Sequence, residues 1–294
     1  MIEHLNFKSA LFIPANQPRF VEKAHTRGAQ AIILDLEDSV PNSKKDEARS
    51  LIKESSALLK QHGMKVLVRI NRNWSLAVKD IEAGVSNSVD GLLLPKVDTS
   101  SHIAIIDEII SDFEDRQIDR SVKTQLIAFV ETVEGLQNAN DIAKSSPRLQ
   151  GISLGSEDFS AQLGVEPTQK NLLRPCQEIV YAAVNAGINP LGFCGSIAEF
   201  SDLEKLSSIV SESKNMGFVG ACCIHPNQVA VLNKAFSPTD RDVDKARTIV
   251  EIYERSKGEG VGAISVDGSM VDEPVYLRAL RVLSLIESQE VAKR

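Results

Sequence analysis

Two carboxylates, Glu131 and Asp158, stand at or just past the ends of otherwise apolar runs, QLIAFVE and LQGISLGSED. Desolvating a carboxylate there is costly unless a cation or hydrogen bonds compensate. Hard oxygen donors with open positions around them suit Mg²⁺, which takes few protein ligands and keeps water or substrate oxygens. The structural alternative is that Asp158 caps a helix starting after Gly155 while Glu131 pairs with Arg69. Arg69, in VRIN, follows the apolar Val66-Leu67-Val68. A guanidinium at that position can take a carboxylate in bidentate fashion, or form an ion pair with Glu37 or Asp38. Glu37 and Asp38 then read as support for Arg69 and for water on the metal.

Further candidates carry weaker signals. Arg19 and Lys23 lie four residues apart, on one face of a helix that Pro18 starts, and can either hold phosphates or form a solvated basic face. His225, followed by Pro226, has no neighbouring nucleophile and reads as a positioning or structural residue. Asp272, before Glu273-Pro274, is equally readable as an N-cap or as a chemical group, and Asp267 beside Gly268 reads as a turn residue. No GxSxG stands in the turn after an apolar run, GISLG at 151–155 lying inside one, and no GxGxxG follows the first, so a serine hydrolase and a dinucleotide fold are poorly supported.

These residues need elements to position them. Apolar, β-branched runs recur at residues 9–14, 31–37, 65–71, 91–97, 125–131, 149–155, 188–195 and 220–226, with helical segments between them. Ala48, Leu51, Ile52, Ser55 and Leu59, for example, keep a three- and four-residue rhythm that Gly63 ends. Eight such units predict an α/β fold, a (β/α)8 TIM barrel, over residues 1–236. The polar residues gather at the C-terminal ends of the runs, where active sites of that fold sit. Residues 237–294 form a C-terminal helical extension. Val243, Ala246, Ile249, Val250 and Tyr253 make the apolar face of its first helix, the glycine-rich 258–262 a connector, and residues 266–274 a lead into a last helix. That tail is too small for an independent core and is expected to pack on the barrel or on an adjacent subunit.

Composition narrows the function classes. With 43% hydrophobic and 25% charged residues, the chain can bury a substantial core. Thirty-three basic against forty acidic residues give −7, which argues against nucleic acid or an acidic membrane as partner. Cys176, Cys194, Cys222 and Cys223 lack CxxC spacing and read as reduced buried thiols, with the adjacent pair pointing to opposite faces. The first residues lack the pattern of a secretory signal and no run is long enough to span a membrane, so a cytoplasmic location is expected.

Taken in order, LFIPANQPRFVEKA, ILDLEDSVP, VRIN, LLLPKV, FVETVEG, LGSEDFSAQLG, CCIHPNQ and GSMVDEP resemble the citrate lyase β-subunit-like family of the HpcH/HpaI aldolase superfamily, which includes malyl-CoA and citramalyl-CoA lyases. The resemblance covers nearly the whole chain. It implies a Mg²⁺-dependent barrel, with Mn²⁺ able to substitute, that cleaves or forms a C–C bond in a 3-hydroxyacyl-CoA. Malyl-CoA or citramalyl-CoA would give acetyl-CoA plus glyoxylate or pyruvate. By that resemblance Glu131 and Asp158 hold the metal. Arg69 binds the 2-oxo-acid carboxylate with backbone amides near Ser156 and Glu157, and Asp272 is the acid/base group that a neighbour's tail delivers in a homotrimer or hexamer. Arg19 and Lys23 would meet the phosphates of CoA. Competing expectations are a citrate lyase β subunit acting on an acyl-carrier-protein thioester, a malyl-CoA thioesterase, and a non-catalytic CoA-thioester-binding protein.

Overall fold

Eight parallel strands make one sheet in a computed structural model that describes residues 5–117, 122–258, 264–266 and 269–291. They are β1 (Ser9–Pro14), β2 (Ala31–Asp35), β3 (Lys65–Arg69), β4 (Gly91–Leu94), β5 (Gln125–Val130), β6 (Leu149–Leu154), β7 (Asn189–Leu191) and β8 (Ala221–Cys223). Sequential strands are neighbours from β1 to β7, β8 pairs with β1, and a bridge between Leu191 and Gly220 brings the two ends together. The result is the expected (β/α)8 TIM-barrel fold, nearly closed, its seam carrying one short bridge. Helices follow the strands: α1 (Pro18–Ala24), α2 (Lys45–Gln61), α3 (Trp74–Gly84), α4 (Ser100–Asp115), α5 (Val133–Gln137), α6 (Ala139–Ala143), α7 (Ser156–Leu163), α8 (Gln169–Ala186), α9 (Leu203–Met216) and α10 (Pro226–Phe236).

Strand alternation sorts the core into two shells. Ala10, Ala31, Ile33, Leu67, Leu93, Ile127, Leu191 and Cys222 point inward, joined by Leu5 and Phe7 from the segment before β1. Leu11, Ile32, Leu34, Val66, Val68, Leu92, Leu94 and Cys223 point outward and meet the helices in the larger cluster. Cys222 and Cys223 thus face opposite sides, as expected, and all four cysteines are free and buried. Ala48, Ile52, Ser55 and Leu59 line the buried face of α2, and Gly63, at φ 71°, supplies the left-handed residue after it.

Apart from β1, the strands stop short of the apolar runs. Five of them end one to three residues early, at Asp35, Arg69, Leu94, Val130 and Leu154, and β7 and β8 stop three or four residues early. The side chains expected to do chemistry therefore sit at the last strand residues or in the loops just beyond them.

Residues 237–294 form a second compact unit. It holds α11 (Asp240–Gly258), α12 (Glu273–Val291) and a cluster of Ala246, Ile249, Tyr253, Val271 and Ala279. Thr239 and Asp242 exchange hydrogen bonds at the start of α11, a capping box. An antiparallel pair, β9 (Ile264–Val266) and β10 (Ser269–Val271), corrects the expectation that 266–274 only leads into the last helix. Strands of three residues are too short to show alternation in a sequence. No helix among the described residues is long and apolar enough to cross a membrane. Asp267 and residues 259–262 of the glycine-rich connector lie outside the described residues.

Candidate active site

The inward faces of β2 and β3 end in opposite charges. Continuing the alternation from Ala31 and Ile33 puts Asp35 inside the barrel mouth, and the same count from Leu67 puts Arg69 there. Asp35 and Arg69 are directly paired across the ladder. Arg69 Nε donates to Asp35 Oδ1 and Nη2 to Oδ2, both at 2.6 Å, a bidentate pair. The backbone N–H groups of Glu37 and Ser39 and the Ser39 hydroxyl also donate to Asp35, which is almost fully buried. Arg69 Nη1 lies 3.2 Å from both Glu37 and Asp38, and the guanidinium stands 4.7 Å above the Phe12 ring. Burial raises the Asp35 carboxyl, but Arg69, Ser39 and the Glu37 amide outweigh it and hold it below the ordinary carboxylate range.

Lys96, in the loop after β4, carries the second cation. Its Nζ lies 3.3 Å from Glu37, 3.6 Å from Glu131 and 3.6 Å from Asp158. Glu131 follows β5 and is buried, whereas Asp158, in the first turn of α7, is half exposed. Burial, with Glu37 and Asp158 nearby, pushes the Glu131 carboxyl up to about 8 against the pull of Lys96 and Arg69. Burial also raises Glu37. Burial works against the Lys96 ammonium, yet Glu37, Glu131 and Asp158 together hold it above the usual lysine range. Five carboxyl groups here share ion pairs with two cations, so acidic side chains are in excess.

These groups open on a cavity of about 490 Å³. Asp35, Asp38, Arg69, Glu131 and Asp158 line one part of it, and Phe129, Leu154, Phe193, Ile197 and Ile224 give it apolar walls. Gly155, Ser156 and Glu157 line it where α7 begins, with no side chain capping that helix. Its unpaired N–H groups and positive dipole end suit an anion. Gly155 allows the close packing: a Cβ there would lie 2.4 Å from Glu131 Cγ. Cys222 also lines the cavity, but burial pushes its thiol up to about 12, which keeps it protonated and a poor nucleophile.

The fold brings Arg69, Glu131, Asp158, Ser156, Glu157 and Asp38 into one cavity, with Glu37 directly behind. It does not bring Arg19 and Lys23 there; both are exposed on α1. His225 stacks on Phe200 and accepts from the Asn227 N–H through Nδ1. Asp272, in the second unit, accepts from the Val275 N–H at the start of α12, the N-cap role weighed above. Lys96 stands among the polar residues at the run ends, but the sequence gives it no chemical role, and Asp35 carries no sequence signal of its own. Asp35, rather than Glu37 or Asp38, is the principal partner of Arg69, and Lys96, rather than Arg69, is the cation at Glu131. Glu131 and Asp158 are hard oxygen donors sharing a single counter-ion in a pocket with excess negative charge, which fits a divalent cation that keeps other positions for water or substrate. Among the described residues no set of three His, Cys, Asp or Glu side chains is placed to enclose a metal.

The model of the HpcH/HpaI aldolase/citrate lyase family matches residues 8–226. Citrate lyase subunit beta of Leuconostoc mesenteroides subsp. cremoris is 33% identical over 288 residues, covering 97% of this chain and 94% of its own length. The L-malyl-CoA/beta-methylmalyl-CoA lyase of Rhodobacter capsulatus is 32% identical over 307 residues, covering 96% and 94%. Among solved structures, CitE from Mycobacterium tuberculosis in complex with magnesium, acetoacetate and coenzyme A superposes with a TM-score of 0.75 at 27% identity, covering 96% of this chain and 98% of that one.

Proposed function

The chain belongs to the HpcH/HpaI aldolase/citrate lyase family and is a carbon–carbon lyase, and from that premise we propose that it cleaves or forms a 3-hydroxyacyl-CoA such as malyl-CoA or citramalyl-CoA in a Mg²⁺-dependent reaction. The observation that carries the reading is Glu131, Asp158 and Arg69 sharing one cavity. A divalent cation held by Glu131 and Asp158, Mg²⁺ or Mn²⁺, would act as a Lewis acid on the hydroxyl and carboxylate of the substrate. Magnesium in the CitE complex supports that assignment. Arg69, fixed along its Nε–Nη2 edge by Asp35, offers Nη1 to the substrate carboxylate in place of its longer contacts to Glu37 and Asp38. The N–H groups at the start of α7, at Ser156 and Glu157, complete that anion site. Asp272 takes the hydroxyl proton and returns it to the enolate carbon of acetyl-CoA as the C–C bond breaks. We assign its delivery to the tail of an adjacent subunit in a trimer or hexamer. Arg19 and Lys23 meet the phosphates of CoA outside the cavity.

A second reading, a citrate lyase β subunit acting on an acyl-carrier-protein thioester, is favoured by the similarity to the Leuconostoc protein. The cavity favours the first. Among its described lining residues Arg69 is the sole cation, which suits one substrate carboxylate, as in glyoxylate or pyruvate, better than the two of oxaloacetate. Purified protein with Mg²⁺ is expected to release acetyl-CoA from malyl-CoA or citramalyl-CoA, and Asp158→Ala to abolish that release. Turnover restricted to citryl thioesters of the carrier protein would favour the second reading, and wild-type turnover in Asp158→Ala would remove the metal assignment.

A further inference from the structure

Lys96 differs from the tightly paired lysines of this protein. Lys60 sits 2.6 and 2.7 Å from the oxygens of Asp90, Lys44 sits 2.6 Å from Glu47, and Lys45 donates to two carbonyl oxygens at 2.7 and 2.5 Å. Lys96 makes no contact that short. Its ammonium lies between Glu37, Glu131 and Asp158 at 3.3, 3.6 and 3.6 Å, shared among three carboxylates rather than committed to one. Arg69, the other cation, is locked bidentately on Asp35, while the Lys96 side chain is one-third exposed and has a way out to solvent.

The backbone is set to put it there. Lys96 is the one described non-glycine residue with positive φ, at 51°, in the left-handed region that residues with a Cβ seldom adopt. Two bonds hold that conformation: Arg72 Nε–H donates to the Lys96 carbonyl at 3.0 Å, and the Val97 N–H donates to the Phe129 carbonyl at 2.9 Å. A strained residue kept in place by its neighbours at the mouth of a charged cavity points to a role for its side chain.

We propose that Lys96 is the resident counter-ion of the acidic pocket, holding Glu37, Glu131 and Asp158 together while no divalent cation is bound and competing with that cation for them. The proposal rests on the reading of Glu131 and Asp158 as the cation ligands. Lys96 is a positioning residue in this scheme. It keeps the two ligands from spreading apart in the empty site and sets how tightly the divalent cation binds.

The test uses the full chain stripped with EDTA, titrated calorimetrically with MgCl₂ and melted with and without Mg²⁺. Lys96→Met, which keeps the length and removes the charge, is expected to bind Mg²⁺ at least about tenfold more tightly than wild type, to melt lower in EDTA, and to gain more on adding Mg²⁺. Lys96→Arg restores a competing charge and is expected to bind within about threefold of wild type. Lys96→Gln stands in if Lys96→Met does not fold, with the same tightening expected. Affinity in the neutral variants equal to or weaker than wild type overturns the proposal. Asp158→Asn separates the two layers. Binding lost in Asp158→Asn but unchanged in Lys96→Met sinks the counter-ion role alone, while titrations silent in wild type and Lys96→Met alike sink the cation ligands and this proposal together.

Discussion

Asp35→Asn tests whether the Asp35–Arg69 pair builds the site. Asp35 Oδ1 accepts from Arg69 Nε and the Glu37 N–H; Oδ2 accepts from Arg69 Nη2, the Ser39 N–H and the Ser39 hydroxyl. Whichever oxygen becomes the amide NH₂ then faces at least two donors with a donor of its own. Asparagine thus removes the charge, two or three hydrogen bonds, and the main partner of a mostly buried guanidinium. Breaking a buried pair on one side typically costs about 3–5 kcal/mol. Arg69 keeps Glu37 and Asp38 at 3.2 Å, so the lower end is expected, roughly 3 kcal/mol. In a unit of this size that lowers the melting temperature by about 6–12 °C. The loosened Arg69 should also cost about a hundredfold in kcat/KM for the 2-oxo acid in the condensation direction. Differential scanning calorimetry and a coupled condensation assay read the two effects. A melting temperature within about 2 °C of wild type, with condensation intact, would refute the argument that this pair positions Arg69.

Gly155→Ala places a methyl 2.4 Å from Glu131 Cγ and should displace that carboxylate at a cost of about 1–3 kcal/mol, losing activity in a folded protein; wild-type activity would show that the position of Glu131 does not matter. Away from the cavity, burial works against the charge of Glu114, but Arg148 and Thr124 outweigh it and hold the carboxyl at about 2 against an ordinary 4.5. The folded-state value is depressed, so this stabilisation, up to roughly 3 kcal/mol, is present above about pH 4.5 and is lost as pH falls toward 2. Acid titration by circular dichroism should therefore show Arg148→Met unfolding at higher pH than wild type, and coincident curves would count against the pair. Finally, Arg69→Ala and Asp272→Asn, each inactive alone, should regain part of the activity when mixed if Asp272 serves a neighbour's cavity. No recovery in verified mixed oligomers would contradict the shared site.

The barrel was legible because eight apolar runs recur at near-regular spacing, and parallel strands covered by helices must be apolar on both faces. The chemistry was legible where a charged residue interrupts or ends such a run, as Arg69 and Glu131 do, or closely follows it, as Asp158 does. Asp35 breaks the run of β2 in the same way, but the run continues through Leu36 to the acidic pair Glu37-Asp38, which masks it. Its importance depends on the register that puts Asp35 opposite Arg69, and register is a property of two strands rather than of either sequence. The role of Lys96, a polar residue at a run end, is hidden for another reason. It follows Pro95 in a loop, and neither its positive φ nor its approach to Glu131 can be read from the sequence around it.

The strand ends also explain why one cavity has walls of two kinds. Charged residues follow β2, β3, β4 and β5 on one side, and all of them reach the mouth because those strands stop at or just before them. On β7 and β8 the inward residues are Leu191 and Cys222, and the loops beyond add Phe193, Ile197 and Ile224. A substrate with a carboxylate and hydroxyl at one end and an apolar substituent at the other fits such a division: the charged wall bears the polar end, and the apolar wall lowers the local dielectric around it. A second carboxylate turned toward Phe193 and Ile197 would lose its water without gaining a cation. Enlarging or narrowing the apolar wall is therefore the change to which substrate choice should respond, while the charged wall, tied together through Arg69 and Lys96, tolerates little.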